Sequence, residues 1–238
     1  MNIALIGYGR MGHEIEDIAV KRGHAIKLIV DQDNTDDLNR TNLKKVDVAI
    51  EFSSPGAALK NIVKCFTFKV PVVSGTTGWL EDYDTAVGIC KKNKTSFIHS
   101  SNLSIGVRLL FILNAELAKQ MARFSEYKVS IEEIHHTKKL DAPSGTAIAL
   151  ATGIIEKHSD YERWCYDYEK VNNCIPIHSV REGTVPGTHI VTWDSEIDTI
   201  SIKHEAKNRK GLALGAVIAA EFIYLKKGIF TMDDVMGF

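Results

Sequence analysis

Ile3-Ala4-Leu5-Ile6-Gly7-Tyr8-Gly9-Arg10-Met11-Gly12 is a short apolar run that passes directly into closely spaced glycines. A continuous apolar run of this length reads as a strand buried on both faces, and Met11 to Arg22 continues as a helix. The glycines therefore fall in the strand-to-helix turn, in the order G-x-G-x-x-G. That turn lets the backbone approach a pyrophosphate, whose charge then lies against the N–H groups at the start of the helix. A second strand, Ala25 to Val30, ends at Asp31, 19 residues after Gly12. An acid at that point is placed to accept hydrogen bonds from the ribose hydroxyls of a dinucleotide. The residues expected around the coenzyme at this end are Gly7, Tyr8, Gly9, Arg10, Met11, Gly12 and Asp31. The acid should repel a 2′-phosphate and favour NADH, while Arg10 and Arg22 offset that repulsion, so NADH and NADPH both stay open as cofactors.

Further strands are expected at Val46 to Phe52, Val70 to Ser74 and Ser96 to His99. Helical stretches separate them, the first opening at Ser53-Ser54-Pro55. Alternation of this kind gives a parallel sheet covered by helices, a Rossmann-type α/β domain. The pattern then changes. Ile105 to Arg123 is one long amphipathic helix, Tyr127 to His136 a strand rich in β-branched residues, and Ser144 to Lys157 another helix. Strands at about Pro176 to Glu182, Thr188 to Asp194 and Asp198 to His204 follow with turn signals between them, so a mostly antiparallel sheet in an α+β domain is expected. Ser159 to Asn173 reads as a long surface loop. Gly211 to Lys227 reads as a helix that returns to the first domain. The expected division is residues 1–103, completed by a C-terminal helix from 210 to 238, for the dinucleotide. Residues 104–209 are left for substrate binding and oligomerisation.

The chain has 238 residues, is 45% hydrophobic and carries a formal net charge of -1 with acids and bases interspersed. Such a balance gives no global field of the kind that draws nucleic acid or an anionic membrane. Cys65, Cys90, Cys165 and Cys174 form no C-x-x-C pair, which argues against a zinc site or redox centre, and reduced thiols in the cytosol are expected. The first residues lack the basic start and apolar length of a signal sequence, and no stretch is long and apolar enough for a membrane span. A cytoplasmic protein is expected.

Two polar loops close the expected parallel strands: Gly75-Thr76-Thr77-Gly78-Trp79, and Ser100-Ser101-Asn102-Leu103-Ser104-Ile105-Gly106-Val107. Open α/β sheets bind ligands at those strand ends. Downstream lies Glu132-Glu133-Ile134-His135-His136-Thr137-Lys138-Lys139-Leu140-Asp141-Ala142-Pro143-Ser144-Gly145-Thr146-Ala147. In this order the motifs G-x-G-x-x-G, G-T-T-G, S-x-N-x-S-x-G and H-H-x-x-K-x-D-A-P-S-G-T-A resemble dihydrodipicolinate reductase nearly end to end. Ser179-Val180-Arg181-Glu182-Gly183, Pro186-Gly187 and Ala206-Lys207-Asn208-Arg209 extend the match.

The resemblance implies that Gly75, Thr76, Thr77, Ser100, Ser101, Asn102 and Leu103 line the nicotinamide side of the cofactor site. It implies that His135 and Lys139 are the catalytic pair, that His136, Gly145 and Thr146 hold substrate carboxylates, and that the protein is a homotetramer. The implied activity is reduction of a cyclic unsaturated dicarboxylate on the route to diaminopimelate and lysine. Two departures bear on cofactor choice: the glycine loop is one residue shorter than the commoner family loop, and no arginine directly follows Asp31.

The reaction needs a proton donor beside the reduced ring. His135 and Lys139 share a face if the strand persists through both, with Lys139 as the expected donor and His135 stabilising charge or relaying the proton. His136 falls on the opposite face by parity, so its contact requires the strand to end or twist there. The start of the next helix, at Gly145 and Thr146, offers N–H groups and a hydroxyl to a carboxylate. With His135, His136, Lys138 and Lys139 this forms a cationic pocket in a nearly neutral chain, and no metal is expected because adjacent histidines are a poor zinc pattern. Arg209 reads as a substrate-side or interdomain charge, or a plain surface arginine. An aspartate-type dehydrogenase would keep the glycine loop but lack H-H-x-x-K with S-G-T. A nucleotide sensor would need no proton donor. Two chain crossings between domains suggest hinge closure over ligand.

Overall fold

The computed structural model describes residues 1–238 apart from Tyr168, Lys170, Val171, Arg209 and Phe238. Arg209, and the part of the expected 159–173 loop that includes the other three internal positions, therefore lie outside the described residues. The chain begins with β1 (Asn2–Ile6), α1 (Arg10–Lys21), β2 (Ala25–Val30), α2 (Arg40–Leu43), β3 (Val48–Glu51), α3 (Pro55–Thr67), β4 (Val72–Ser74), α4 (Tyr83–Asn93) and β5 (Ser96–His99). It continues with α5 (Ile105–Met121), β6 (Lys128–His135), α6 (Gly145–Ile155), β7 (Arg163–Tyr166), β8 (Cys174–Arg181), β9 (Thr188–Asp194) and β10 (Thr199–Glu205). It ends with α7 (Lys210–Ile223), β11 (Gly228–Phe230) and α8 (Met232–Met236). Two compact units result: Met1–Ile105 with Arg209–Phe238, and Gly106–Asn208.

In the first unit a parallel sheet runs in the order β11-β5-β4-β3-β1-β2. Alternate side chains of one strand enter opposite cores, which is why the strands read as unbroken apolar runs. Ala4 and Ile6 pack with Ala58, Ile62 and Phe66 of α3, whereas Ile3 and Leu5 pack with Ile15 and Ala19 of α1 and with Ala216 and Ala220 of α7. The small residues of α7 allow close approach: a Cβ on Gly215 would lie 1.7 Å from the Leu103 carbonyl oxygen. The sheet order reverses between β1 and β3, creating the crevice at which such sheets bind ligands. The C-terminal segment is not one helix, since α7 stops at Ile223 and β11 adds an edge strand beside β5.

The second unit holds a mixed sheet in the order β10-β9-β6-β8-β7. The antiparallel ladders β6/β9 and β9/β10 are the longer, with seven paired residues each, while β6/β8 and β7/β8 are parallel. Of the three closely spaced strands expected from sequence, only β9 and β10 form a hairpin; β8 and β9 flank β6. Helices α5 and α6 cover one face through Leu110, Ala118, Leu150, Ala151 and Ile154, against Val129, Ile131, Ile177, Val191 and Trp193. The stretch read as a plain loop contains β7, and Cys165 there is disulfide-bonded to Cys174 of β8. That corrects the expectation of four reduced thiols: neighbouring strands bring the two Cα atoms to 5.8 Å, a relation that sequence spacing hides. Cys65 and Cys90 are free and buried. No described helix is long and apolar enough to cross a membrane.

Candidate active site

In the first unit the glycine loop sits where the sequence puts it. Gly7 has φ +89°, and a Cβ there would meet the Phe52 carbonyl oxygen at 2.0 Å; one on Gly12 would meet the Gly7 carbonyl oxygen at 2.6 Å. The loop is thus closed to any larger residue at these points, and its backbone passes along a cleft of about 320 Å³ lined by Gly7, Tyr8, Gly9, Asp31, Phe52 and Ser53. Gly9 stands at the N-cap position of α1 and makes no side-chain cap, which leaves the helix N-terminus for a ligand. An adjoining hollow of about 340 Å³ joins Gly9, Arg10 and Met11 to Gly75, Thr76 and Thr77. Of the expected nucleotide residues, Gly7 to Met11, Asp31 and Gly75 to Thr77 therefore line two adjoining hollows that share Gly9.

Asp31 is exposed at the end of β2, accepts from the Gln32 N–H at 2.9 Å, and has its own N–H bonded to Asn34 Oδ1 at 2.6 Å. This box holds the carboxylate at the cleft. Ser100 and Asn102 order the last loop, Ser100 Oγ donating to the Asn102 carbonyl oxygen at 2.8 Å and the Ser104 N–H donating to Asn102 Oδ1 at 2.9 Å. Ser101 is exposed beside them and Leu103 is buried.

Sequence reasoning passed over Glu51. This fully buried acid at the end of β3 accepts from Ser74 Oγ at 2.6 Å, Thr76 Oγ1 at 2.9 Å and the Ser53 N–H at 3.0 Å, with a further contact from Ser53 Oγ. An acid closing the otherwise apolar run Val48-Ala49-Ile50 was the available signal. It gathers the β3, β4 and Gly75-Thr76 segments beside the two hollows.

In the second unit, β6 alternates strictly, and the row Val129, Ile131, Glu133, His135 faces inward. Its first two members join the core and its last two are polar. Sheet register supplies their neighbours: Glu133 pairs with His189 of β9 and Ser179 of β8, and His135 pairs with Arg181. Glu133 receives Arg181 Nη2 on Oε1 at 2.7 Å and contacts His135 Nδ1 through Oε2. Burial alone would raise its carboxyl, but the hydrogen bonds from His135 and Arg181 outweigh that and hold it at about 2. His189 lies edge-on to His135, ring centroids 5.1 Å apart, and is hydrogen-bonded through Nε2 to Ser144 Oγ at 3.1 Å. Burial first, and then the His135 charge, push His189 down to about 4, so it is neutral at physiological pH.

The strand does not persist to Lys139, so the condition under which His135 and Lys139 would share a strand face is not met. It ends at His135, and a turn closed by the Lys139 N–H to the His136 carbonyl oxygen, 3.0 Å, carries the chain round. Lys139 is placed instead by its ion pair with Asp141, 2.7 Å to each carboxylate oxygen, and its charge is felt at His189. Because the strand ends there, the parity objection to His136 falls away; its N–H is bonded to the Val185 carbonyl oxygen at 2.8 Å. Ser144 caps α6 by accepting from the Ala147 N–H at 3.2 Å, leaving Gly145 and Thr146 in the first turn, where N–H groups precede any intrahelical partner.

His135, His136, Lys139, Gly145 and Thr146 thus belong to one unit, while Glu133, Arg181 and His189, to which the sequence reading gave no role, build its polar floor. Glu133, His135 and His189 also bring potential ligand atoms within 4.8 Å of one another. The Arg181 cation on Glu133 and the His135 Nδ1 contact to its other oxygen make this a hydrogen-bonded acid–base cluster rather than a ready metal cage.

Comparison with known proteins agrees with the motifs. The profile described as "Dihydrodipicolinate reductase, N-terminus" matches residues 1–103, and that for the C-terminus matches residues 106–236. The chain is 55% identical over 238 residues to 4-hydroxy-tetrahydrodipicolinate reductase of Christiangramia forsetii, covering 100% of this chain and 98% of the relative. It is 34% identical to the protein of that name from Thermosipho africanus, covering 99% and 98%. A solved dihydrodipicolinate reductase from Paenisporosarcina sp. TG-14, described as dipicolinate-bound, superposes with a TM-score of 0.77 at 25% identity over 97% of each chain. With both halves of the chain matched and a relative identical at more than half its positions, this chain belongs to the dihydrodipicolinate reductase family.

Proposed function

We propose that this protein reduces 4-hydroxy-tetrahydrodipicolinate to tetrahydrodipicolinate with a reduced nicotinamide dinucleotide, the 4-hydroxyl leaving as water, in lysine and diaminopimelate biosynthesis. The observation that carries the reading is that one unit holds a cleft lined by the glycine loop and Asp31, and the other holds an acid–base cluster and an N-terminal helix turn with free N–H groups. The glycine loop fits a dinucleotide because a Cβ at Gly7 or Gly12 would strike the Phe52 or Gly7 carbonyl oxygen, so only glycine permits this turn, and the α1 N-terminus it leads into has no side-chain cap. Gly7 to Gly12 and Asp31 would hold the adenosine and pyrophosphate, and Gly75 to Thr77 with Ser100 to Leu103 the nicotinamide. The coenzyme, when bound, supplies a hydride.

The remaining work falls to the chain. His136, Gly145 and Thr146 bind the two carboxylates of the substrate. Lys139, a cation held by Asp141, delivers the proton to the carbon next to the reduced one, and His135 stabilises the developing charge or relays the proton. Asp31 at the ribose end supports NADH as the better coenzyme, with NADPH also used. The resemblance supports a cytoplasmic homotetramer, which sedimentation would test by its mass.

The decisive assay mixes purified protein with NADH or NADPH and freshly generated 4-hydroxy-tetrahydrodipicolinate and follows loss of reduced-nicotinamide absorbance. Turnover with this substrate and none with aspartate supports the reading. Turnover of aspartate in its place, or coenzyme binding without oxidation, would replace it with a dehydrogenase or a nucleotide sensor.

A further inference from the structure

Resting on the reading of His135 as a catalytic residue, we propose that Glu133 is a positioning residue that sets which His135 nitrogen carries the proton in the neutral ring, with Arg181 making that choice one-way. Glu133 is wholly enclosed, and its two oxygens have different partners: Oε1 takes Arg181 Nη2 at 2.7 Å and Oε2 takes His135 Nδ1. A carboxylate only accepts, so Nδ1 must donate to it. The lone pair of the neutral ring is then at Nε2.

The opposite edge of the ring is equally determined. Nε2 faces Gly187, where a Cβ would stand only 3.0 Å away, and His189 closes the flank. Arg181 is itself fixed, donating also to the Asp141 carbonyl oxygen at 2.6 Å and the Val180 carbonyl oxygen at 2.8 Å. It therefore ties the Lys139–Asp141 turn to the same carboxylate that orients His135. The consequence for the reaction is a division of labour: neutral His135 meets a ligand as an acceptor at Nε2, and only its protonated form donates there. Proton donation falls to Lys139, whose ammonium is held by the Asp141 carboxylate.

The same geometry predicts the outcome of an isosteric change. In Glu133→Gln the amide oxygen must face Arg181, which has only donors, so the amide NH2 faces His135 Nδ1. Nδ1 must then accept, and the proton moves to Nε2. A structural role confined to the Arg181 ion pair would not invert the tautomer.

The test is a long-range 1H–15N correlation of the full-length protein labelled with 15N-histidine, at a pH where histidine is neutral, with His135 assigned by its loss in His135→Asn. Nδ1–H in the wild type, Nε2–H in Glu133→Gln and Nδ1–H again in Glu133→Asp support the proposal. A fall in kcat of about 10²-fold in Glu133→Gln, with KM little changed and partial recovery in Glu133→Asp, is the kinetic counterpart. Nε2–H in the wild type overturns the proposal, whether or not Glu133→Gln folds. So does a folded Glu133→Gln that retains Nδ1–H and full kcat. Tautomer and turnover are read separately: Nδ1–H in a wild type that oxidises no coenzyme would overturn the functional reading and leave the role of Glu133 in orienting the ring standing.

Discussion

Gly187 lies against the imidazole of His135: a Cβ added to the glycine would sit 3.0 Å from Nε2 and 3.3 Å from Cδ2. The ring is held on two further sides, since Glu133 takes Nδ1 and His189 stands edge-on at 5.1 Å. Gly187 also has φ +154°, outside the range L side chains readily adopt. Gly187→Ala should lower kcat about tenfold by displacing the ring, and destabilise the protein by about 1–2 kcal/mol. Steady-state kinetics and thermal melts check both; unaltered kcat would mean that Nε2 does not face the reacting groups.

Asp31 presents its carboxylate at the cleft from a rigid box with Gln32 and Asn34. A 2′-phosphate there would be repelled, and Arg10 is the cation available along the same surface. Asp31→Ser keeps the cap acceptor and removes the charge, so kcat/KM should shift toward NADPH by about tenfold relative to NADH, roughly 1.4 kcal/mol. Measuring both coenzymes with wild type and variant decides this, and an unchanged ratio would place the ribose elsewhere.

Glu51 anchors donors from three segments in a place without water access. Glu51→Ala leaves the Ser74 and Thr76 hydroxyls without their acceptor, which should cost about 2–4 kcal/mol. Because Thr76 borders the hollow beside Gly75, coenzyme affinity should fall as well. Chemical denaturation and coenzyme titration are the measurements; a loss of stability with unaltered affinity would confine Glu51 to a structural role.

The periodicity of the sequence made the first sheet legible almost strand by strand: Ala25–Val30 and Ser96–His99 agree at both ends, because buried parallel strands leave continuous apolar runs bounded by turn residues. β7 and β11 left no such trace. They are edge strands of four and three residues, and their pairing is decided by the neighbours they meet. For the same reason β8, close to β9 in sequence, pairs with β6. In the candidate site, motif order pointed to His135 and Lys139. Glu133 and His189 became visible only once strand register set them side by side, although the E-x-H spacing on one strand face was a readable sign. The Cys165–Cys174 bond was missed in the same way, as a cross-strand relation between residues nine apart.

Lys139 is paired with Asp141 on a turn rather than on the β6 face, so its ammonium can leave the carboxylate without disturbing the sheet. If the two groups act, as proposed, on charge that develops during reaction, Lys139→Ala and His135→Ala should each lower kcat by about 10²-fold or more with small changes in KM. A change confined to KM in either variant would assign that residue to substrate binding.

Acid should destabilise the second unit through two identifiable groups. His189 is held down to about 4 by burial and by the His135 charge, with His204 and Lys139 adding to the same direction and Glu133 opposing it. In the unfolded chain it titrates near about 6.5. Between those values the unfolded state binds the additional proton, so stability is full above about pH 6.5 and falls as pH drops toward 4. Glu133, held at about 2, continues the loss at lower pH, as its folded value lies below that of an unfolded glutamate. Replacing His189 with Gln, which keeps an amide to hydrogen-bond Ser144 and has no proton to gain, should flatten the stability curve between pH 6.5 and 4 by about 2 kcal/mol, allowing for screening. Denaturation of both proteins across that window is the check. Parallel curves would show that His189 is protonated in the folded state and that its burial does not exclude charge.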